Sequence, residues 1–283
     1  MKKTLITLCI ILTGCICFGQ SPISVTGLTC EKLVNPLAID NTVPHFSWMI
    51  HSDRTGASYA AYQVVVATSP EKLDEKNADL WNSGKVPGSE SLSVRYEGKP
   101  LASKAFAYWK VRVWDNEGNV SQWSAPASFG IGYLDDKDWA SNAAFIGVPG
   151  NRGKSEVAPL LRKTFTAKED AERYLLHVNS LGYHEAYVNG TAVSDAVLSP
   201  AVSQFGVRTR IVTYDVTSMV HSGENDIIIW TGKGWYQTHN KAVVPGGPYV
   251  RAQLDCITSE GVTAVTATDG SWKYAESERR TYG

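Results

Sequence analysis

The chain has 283 residues, among them 27 basic and 28 acidic side chains and 5 cysteines. This near-neutral balance excludes the strongly basic surface that binding to nucleic acid or to an anionic membrane requires. Only Cys30 and Cys256 lie beyond the first twenty residues. Two cysteines so far apart exclude a disulfide framework, and we expect them to be separate buried thiols.

Residues 1–20 predict a secretory signal peptide. Lys2 and Lys3 precede an apolar run from Leu5 to Phe18, and small residues flank Phe18 on both sides. No other segment approaches the roughly 20 apolar residues that a membrane-spanning helix needs. We therefore expect an exported protein without a transmembrane segment, either periplasmic or secreted.

A second interpretation of the same segment is a lipoprotein signal. Leu12-Thr13-Gly14-Cys15 fits a lipoprotein cleavage box, in which Cys15 becomes the lipidated first residue. The residues after Cys15 continue the apolar run instead of opening a polar tether, which favours cleavage near Gly19 or Gln20. Lipidation of Cys15, with anchoring through it, remains the alternative.

Residues 21–132 predict an antiparallel β-sandwich. Short strands alternate with turns, and no stretch keeps a helical period. The clearest strands are residues 46–48, 62–67, 92–96 and 108–114. In the last of them Trp109, Val111 and Val113 share one face while basic side chains occupy the other, as in a strand with one buried side. About seven short strands are typical of a fibronectin type III or immunoglobulin-like domain.

Residues 133–283 predict a second sandwich. Three aspartates between residues 135 and 138 form a short acidic linker, and strands resume after a glycine- and proline-bearing loop. The strongest of these strands are residues 160–165, 174–178, 185–188, 211–216 and 227–230. The pattern favours a jelly-roll, galactose-binding-like domain whose C-terminal end we expect to be incomplete. The predicted fold class is therefore all-β, with two tandem sandwiches.

The sequence contains no recognisable catalytic or metal-binding pattern. Glycosidase chemistry needs two carboxyl groups on either side of a sugar, whereas the acidic residues here cluster in turns. The histidines lack metal-ligand spacing, and His177 falls opposite the buried face of its strand, which predicts a surface or inter-sheet position. The segment 148–155 ends like a phosphate loop, but Val148 replaces the first required glycine. We predict no catalytic residue, no metal ligand and no cofactor, with calcium neither indicated nor excluded.

The segment Leu181-Gly182-Tyr183-His184-Glu185-Ala186-Tyr187-Val188-Asn189-Gly190 is the most specific in the chain. It resembles the sugar-binding-type sandwich that precedes the barrel in bacterial α-L-rhamnosidases of glycoside hydrolase family 78. Further matches follow in the right order at residues 195–200, 208–217, 223–225 and 232–236. The first domain resembles the leading fibronectin-like module of the same family at residues 30–40, 44–48, 81–86, 108–115 and 121–124.

The resemblance also has departures. Ala201-Val202-Ser203 replaces a glycine or alanine, an aromatic residue and a threonine, and Phe145 replaces a tryptophan. Family members continue into an (α/α)₆ barrel that carries the general acid and base of an inverting hydrolysis. The resemblance therefore implies a fragment that stops before this barrel, its intramolecular partner in full-length relatives, and we expect no hydrolysis by the fragment alone.

Three residues are candidates for sugar binding in the second domain. Trp235 and Tyr236 follow a glycine in a loop, where exposed rings could stack on a sugar, and Asp195 follows the Asn189-Gly190 turn. The alternative is that both aromatic residues pack against the missing barrel.

The function that we predict is the accessory, substrate-recognition part of an exported enzyme that removes terminal α-L-rhamnose from glycans. Its partner would be a rhamnose-containing oligo- or polysaccharide. The alternatives are a stand-alone glycan-binding protein and a structural surface protein that uses its sandwiches as spacers.

Overall fold

The computed structural model describes residues 23–148, 157–238 and 246–280. The predicted signal peptide, including Cys15, lies outside these residues. Across the three ranges, the structure contains no helix that is both long enough and apolar enough to cross a membrane.

Regular structure in these ranges is almost entirely β. The strands are β1 (Ile23–Cys30), β2 (His45–Ser52), β3 (Tyr59–Ala67), β4 (Trp81–Asn82), β5 (Val86–Pro87), β6 (Val94–Arg95), β7 (Phe106–Asp115), β8 (Ala127–Gly130), β9 (Val157–Thr166), β10 (Arg173–Leu181), β11 (Tyr183–Val188), β12 (Thr191–Ala192), β13 (Ile211–Asp215), β14 (Glu224–Gly232), β15 (Tyr249–Thr258), β16 (Gly261–Ala267) and β17 (Lys273–Arg280). A four-residue helix, α1 (Trp235–Thr238), follows β14, and short 3₁₀ turns occupy Pro70–Lys72, Asp136–Asp138 and Thr217–Met219. The predicted all-β class is confirmed.

The chain forms two compact units that are discontinuous in sequence. The first contains the described residues up to Val34 together with His45–Lys99 and Tyr108–Ala127. The second contains Asn35–Pro44, Pro100–Ala107 and the described residues from Ser128 onward. The chain thus passes from one unit to the other within β7 and β8. The continuous domains 21–132 and 133–283 remain a prediction.

The first unit is a sandwich of short antiparallel strands. One sheet has the order β1-β2-β6, and in the other β4, β5 and β7 pair with β3. Side chains alternate along β7, where Trp109, Val111 and Val113 are fully buried as the period-2 pattern predicts. The ring of Trp109 packs 4.3 Å from that of Phe46 on the opposite sheet. Alternation on two facing strands thus builds one aromatic core.

The second unit is a larger sandwich. Its sheets have the orders β13-β10-β15-β16 and β12-β11-β14-β9-β17. Fifteen buried apolar residues contributed by both sheets form the core between them. Cys256 belongs to this core, while Cys30 is buried in the first unit, and neither forms a disulfide. The prediction of two separate buried thiols is confirmed.

The outer face of the β10–β15 pair is covered as well. Tyr133 donates a hydrogen bond to Asp255 Oδ2 at 2.7 Å, and Gln253 Nε2 donates to Tyr133 Oη at 2.8 Å. Lys104 Nζ lies 3.4 Å from Asp255 Oδ2. Segments 100–107 and 128–139 therefore lie over this face, and strand β10 is buried on both sides. The expected surface or inter-sheet position of His177 is consequently wrong, because these segments cover its side of the strand.

Two asparagines join the β11–β12 turn to the start of β14. Asn225 is 2% exposed and its amide group makes four hydrogen bonds, to Asn189 Nδ2, His221 N, His221 O and Gly223 O. Asn189 in turn accepts a hydrogen bond from Asp226 N at 2.9 Å. These interactions satisfy backbone groups that the turns leave unpaired. The motif positions Asn189 and Asn225 thus have a structural explanation.

Replacing Asn225 with alanine should destabilise the second unit. The change removes the hydrogen-bond partner of three backbone groups of residues 221 and 223, at about 1 kcal/mol for each lost hydrogen bond. Urea denaturation, monitored by tryptophan fluorescence, measures the decrease in the free energy of unfolding. The exposed neighbour provides the control, because Glu224→Gln should leave the free energy of unfolding within about 0.5 kcal/mol of the original. An Asn225→Ala protein as stable as this control contradicts the structural role.

Candidate functional site

A cleft in the second unit lies beside strand β11. Its volume is about 200 Å³, and its walls come from β11, β12, the segment after β12 and one residue of β13. Its polar lining consists of His184, Glu185, Tyr187, Ser194, Asp195 and Tyr214. Side chains alternate along β11, so His184 is directed into the interior while Glu185 is exposed at the rim. The cleft therefore has a buried floor and a hydrophilic edge.

A hydrogen-bonded row of three side chains forms the floor. His184 Nδ1 lies 2.7 Å from Ser180 Oγ, and His184 Nε2 lies 2.9 Å from Tyr214 Oη. Ser180, His184 and Tyr214 are all buried, with at most 9% of each residue exposed. Ser199 also contacts this row, because its hydroxyl is 3.5 Å from Tyr214 Oη and its carbonyl accepts from His184 N at 2.8 Å. The row thus fixes the segment after β12 against the strands.

The proton positions in this row follow from its outer partners. Ser180 Oγ donates to the carbonyl of Gly182 at 3.2 Å, so it is available to accept from His184. His184 then carries its proton on Nδ1, and Nε2 accepts the hydroxyl proton of Tyr214. Burial lowers the pKa of His184 to about 4 and raises the pKa of Tyr214 above its usual value. Both groups are therefore uncharged at neutral pH.

The rim offers acceptors and donors for hydroxyl groups. Tyr187 Oη donates to Glu185 Oε2 at 2.6 Å, which aligns the carboxylate along the edge of the cleft. Asp195 is exposed on the facing segment, next to Ser194, whose hydroxyl accepts from Ala196 N at 3.0 Å. Carboxylates accept hydrogen bonds strongly, and tyrosine hydroxyls both donate and accept. The arrangement suits a ligand that carries several hydroxyl groups.

The three predicted sugar-binding residues occupy different environments. Asp195 lines the cleft, whereas Trp235 is 48% exposed on α1 and does not belong to the described lining. Tyr236 is only 2% exposed, with its ring 5.4 Å from Phe205 and 6.4 Å from Tyr249. Burial raises the pKa of Tyr236 to about 12. The expected exposure therefore applies to Trp235 and not to Tyr236, whose ring packs inside the unit.

Glu185 and Tyr187 line the cleft but were not among the residues predicted from the sequence. Both lie inside the most specific segment of the chain, and their positions two residues apart place them on the same face of β11. Alternation within that segment could have identified them. Over the described ranges, no three histidine, cysteine, aspartate or glutamate side chains converge as metal ligands would.

Two family models match successive parts of the chain. The model described as "Rha78A-like, N-terminal immunoglobulin domain" matches residues 25–135. The model described as "Alpha-L-rhamnosidase N-terminal domain" matches residues 169–282.

Curated alpha-L-rhamnosidases are similar in sequence to this chain. An alpha-L-rhamnosidase from Formosa agariphila is 32% identical over 306 residues, which covers 96% of this chain and 32% of that protein. One from Alteromonas sp. (strain LOR) is 30% identical over 267 residues, which covers 87% of this chain and 28% of that protein. The chain thus spans less than a third of the length of these two relatives.

Solved structures agree on the fold. The alpha-L-rhamnosidase from Dictyoglumus thermophilum superposes with a TM-score of 0.81 at 28% identity, covering 89% of this chain and 30% of that one. The enzyme from Aspergillus terreus superposes with a TM-score of 0.76 at 24% identity, covering 90% of this chain and 29% of that one, and supports the fold alone.

Acid should destabilise the protein through two buried histidines. Burial lowers the pKa of both His177 and His184 from 6.5 to about 4. Between these values the unfolded chain binds protons that the folded chain does not, so stability decreases as the pH falls through this window. Each histidine should contribute on the order of 3 kcal/mol to the loss. Chemical denaturation at pH 7 and at a pH near the lower pKa measures the difference.

A matched pair of variants assigns this effect. His184→Gln retains hydrogen-bonding groups but cannot titrate, so the acid loss should fall by about half, with the remainder due to His177. His221 is exposed, and His221→Gln provides the control in which a histidine on the surface is replaced. Equal acid losses in the His184→Gln and original proteins would contradict the assignment.

Proposed function

The chain belongs to the α-L-rhamnosidases of glycoside hydrolase family 78 as their N-terminal region, and we propose that its second unit recognises the glycan on which the whole enzyme acts. The proposed ligand is a terminal α-L-rhamnose residue of a rhamnose-containing oligo- or polysaccharide. Because the chain spans less than a third of its relatives, hydrolysis is proposed for the whole protein and not for this region.

The cleft beside β11 is the observation that supports this role. Its volume of about 200 Å³ is below the range of about 300–1,000 Å³ that is usual for drug-sized ligands, and it suits a single sugar residue. Glu185, Tyr187 and Asp195 provide hydroxyl-binding groups on two sides of the cleft. The neutral floor adds no charge of its own, which suits an uncharged deoxysugar.

Preorganisation strengthens the proposal. The row from Ser180 to Tyr214 holds the floor, and the contacts of Ser199 hold the facing segment before any ligand binds. A site already in its bound shape avoids the cost of ordering side chains on association. Trp235 lies outside the cleft, and we propose that its exposed ring contacts the part of the glycan beyond the terminal sugar.

Binding should depend on the rim carboxylates. Affinity electrophoresis in a gel containing a rhamnose-rich polysaccharide should show retention of the original protein. Asp195→Ala and Glu185→Gln should weaken binding roughly ten- to a hundredfold, the effect of losing one hydrogen bond to a charged group. Trp235→Ala should also reduce retention, whereas a surface carboxylate outside the cleft provides the control, Glu224→Gln.

Two outcomes would contradict the proposal. The first is equal retention of the original protein and both carboxylate variants, with all three folded by circular dichroism. The second is release of the chromophore when this chain is incubated with an aryl α-L-rhamnoside, since that would place hydrolysis within the region itself. If retention is lost only in Trp235→Ala, the binding site lies at α1 and not in the cleft.

We further propose that the protein is exported through its first 20 residues. The evidence is the sequence pattern of Lys2 and Lys3 followed by the apolar run from Leu5. Intact mass of the protein from a bacterial host should correspond to cleavage near Gly19 or Gln20. A mass that fits a lipidated N-terminal Cys15 would support the lipoprotein alternative, and an uncleaved chain in the cytoplasm would exclude both.

A further inference from the structure

A second cleft lies in the first unit and is about twice as large as the first. Its volume is about 400 Å³. Strands β4 and β5, which pair with β3, form one wall, and β6, which pairs with β2, forms the other. The cleft therefore lies at the edge of the sandwich, where the chain crosses from one sheet to the other. The motif Trp81-Asn82-Ser83, which takes no part in the cleft beside β11, lies in the wall of this second cleft.

The crossing segment is hydrogen-bonded to β2 just before β6 begins. The carbonyl of Ser91 accepts a hydrogen bond from Trp48 N at 2.9 Å, and Ser93 N donates to Ser47 Oγ at 3.0 Å. Both partners belong to β2. These two hydrogen bonds fix the wall of the cleft before any ligand binds.

Two aromatic rings line the cleft in fixed orientations. Trp81 stacks on Phe46 at 6.4 Å and meets the edge of Tyr96 at 5.5 Å. Tyr62 packs 5.3 Å from Trp48. Both lining rings are half-buried, so one part of each is locked in the core and another borders the cleft. Rings fixed in this way form a platform for the apolar face of a sugar.

Three charged side chains surround the rings with unused hydrogen-bonding capacity. Glu90, Arg95 and Glu97 are exposed, line the cleft, and form no ion pair with any other residue that the structure describes. Burial and then the nearby charges of Glu90 and Glu97 raise the pKa of Tyr62. The cleft offers acceptors from the carboxylates and donors from the guanidinium group.

The amide of Asn82 adds one further donor. Its oxygen accepts from Gln63 Nε2 at 2.8 Å and from Gly84 N at 2.9 Å, and its nitrogen donates to the carbonyl of Glu75 at 2.9 Å. An amide nitrogen has two protons. One N–H of Asn82 therefore remains for a ligand, while its other groups fix its position.

The mixture of charges selects the class of ligand. An anionic ligand would face two carboxylates, and an ammonium ligand would be placed close to the like charge of Arg95. A neutral polyhydroxyl compound can use donors and acceptors together. We propose that this edge cleft is a second saccharide-binding site, which holds a neutral sugar residue on Trp81 and Tyr62 and binds its hydroxyl groups through Glu90, Arg95 and Glu97.

The full chain is first screened against an array of neutral oligosaccharides to find those that bind. Calorimetry then measures the affinity for each of them. Arg95→Ala and Glu97→Gln change exposed side chains that form no ion pair among the described residues, so both variants should fold normally. Each should weaken binding of at least one oligosaccharide roughly tenfold or more, as expected for a lost hydrogen bond to a charged group. Glu71→Gln, an exposed carboxylate elsewhere in the same unit, should leave that affinity unchanged.

The result is separable from the proposed function of the second unit. Asp195→Ala should leave binding at the edge cleft intact, and Arg95→Ala should leave rhamnose-dependent retention intact. The assignment is overturned if no neutral oligosaccharide is bound except through Asp195, or if Arg95→Ala and Glu97→Gln bind as the original protein does. Preferential binding of a polyamine such as spermidine, lost in Glu97→Gln, would also overturn it in favour of a cation site.

Discussion

The floor of the cleft beside β11 depends on one buried imidazole that stays neutral. His184 lies on β11 and joins Ser180 on β10 to Tyr214 on β13, so a single ring connects strands from both sheets of the second unit. Burial keeps this ring uncharged. One ring nitrogen can then donate a hydrogen bond to Ser180 while the other accepts one from Tyr214. This connection positions the rim of the cleft. Glu185 follows His184 directly in the chain, and the carbonyl of Ser199 accepts a hydrogen bond from the backbone N–H of His184.

Several residues that identify the family in the sequence maintain the fold. Asn189 and Asn225 close the turns around β14, and Tyr214 completes the row of the floor. A polar residue in such a motif therefore need not touch a ligand. Exposure separates the two roles, because Asp195 reaches solvent whereas the asparagine of the Gly-Glu-Asn turn is almost completely buried.

Strand positions could be predicted from the sequence because successive side chains of a strand point to opposite faces of the sheet. Apolar residues therefore alternate with polar ones when one face is buried. Along β7 the alternation of apolar and basic residues gave the buried side correctly. The same rule failed at His177, because segments far away in sequence cover the second face of β10 and no local pattern carries that information. Tyr236 was misjudged for a similar reason, since its burial depends on Phe205 and Tyr249 from other parts of the chain.

The cover over the β10–β15 face affects how the protein can be divided for experiments. Lys104 reaches Asp255 from a segment that precedes most of the second unit in sequence, whereas Tyr133 reaches it from the segment just after β8. A shortened protein that begins near residue 133 would lack Lys104. The buried carboxylate of Asp255 would then lose the ion pair that Lys104 makes with it. Expression of the second sandwich by itself therefore calls for redesign of this face, and the intact polypeptide is the better starting material.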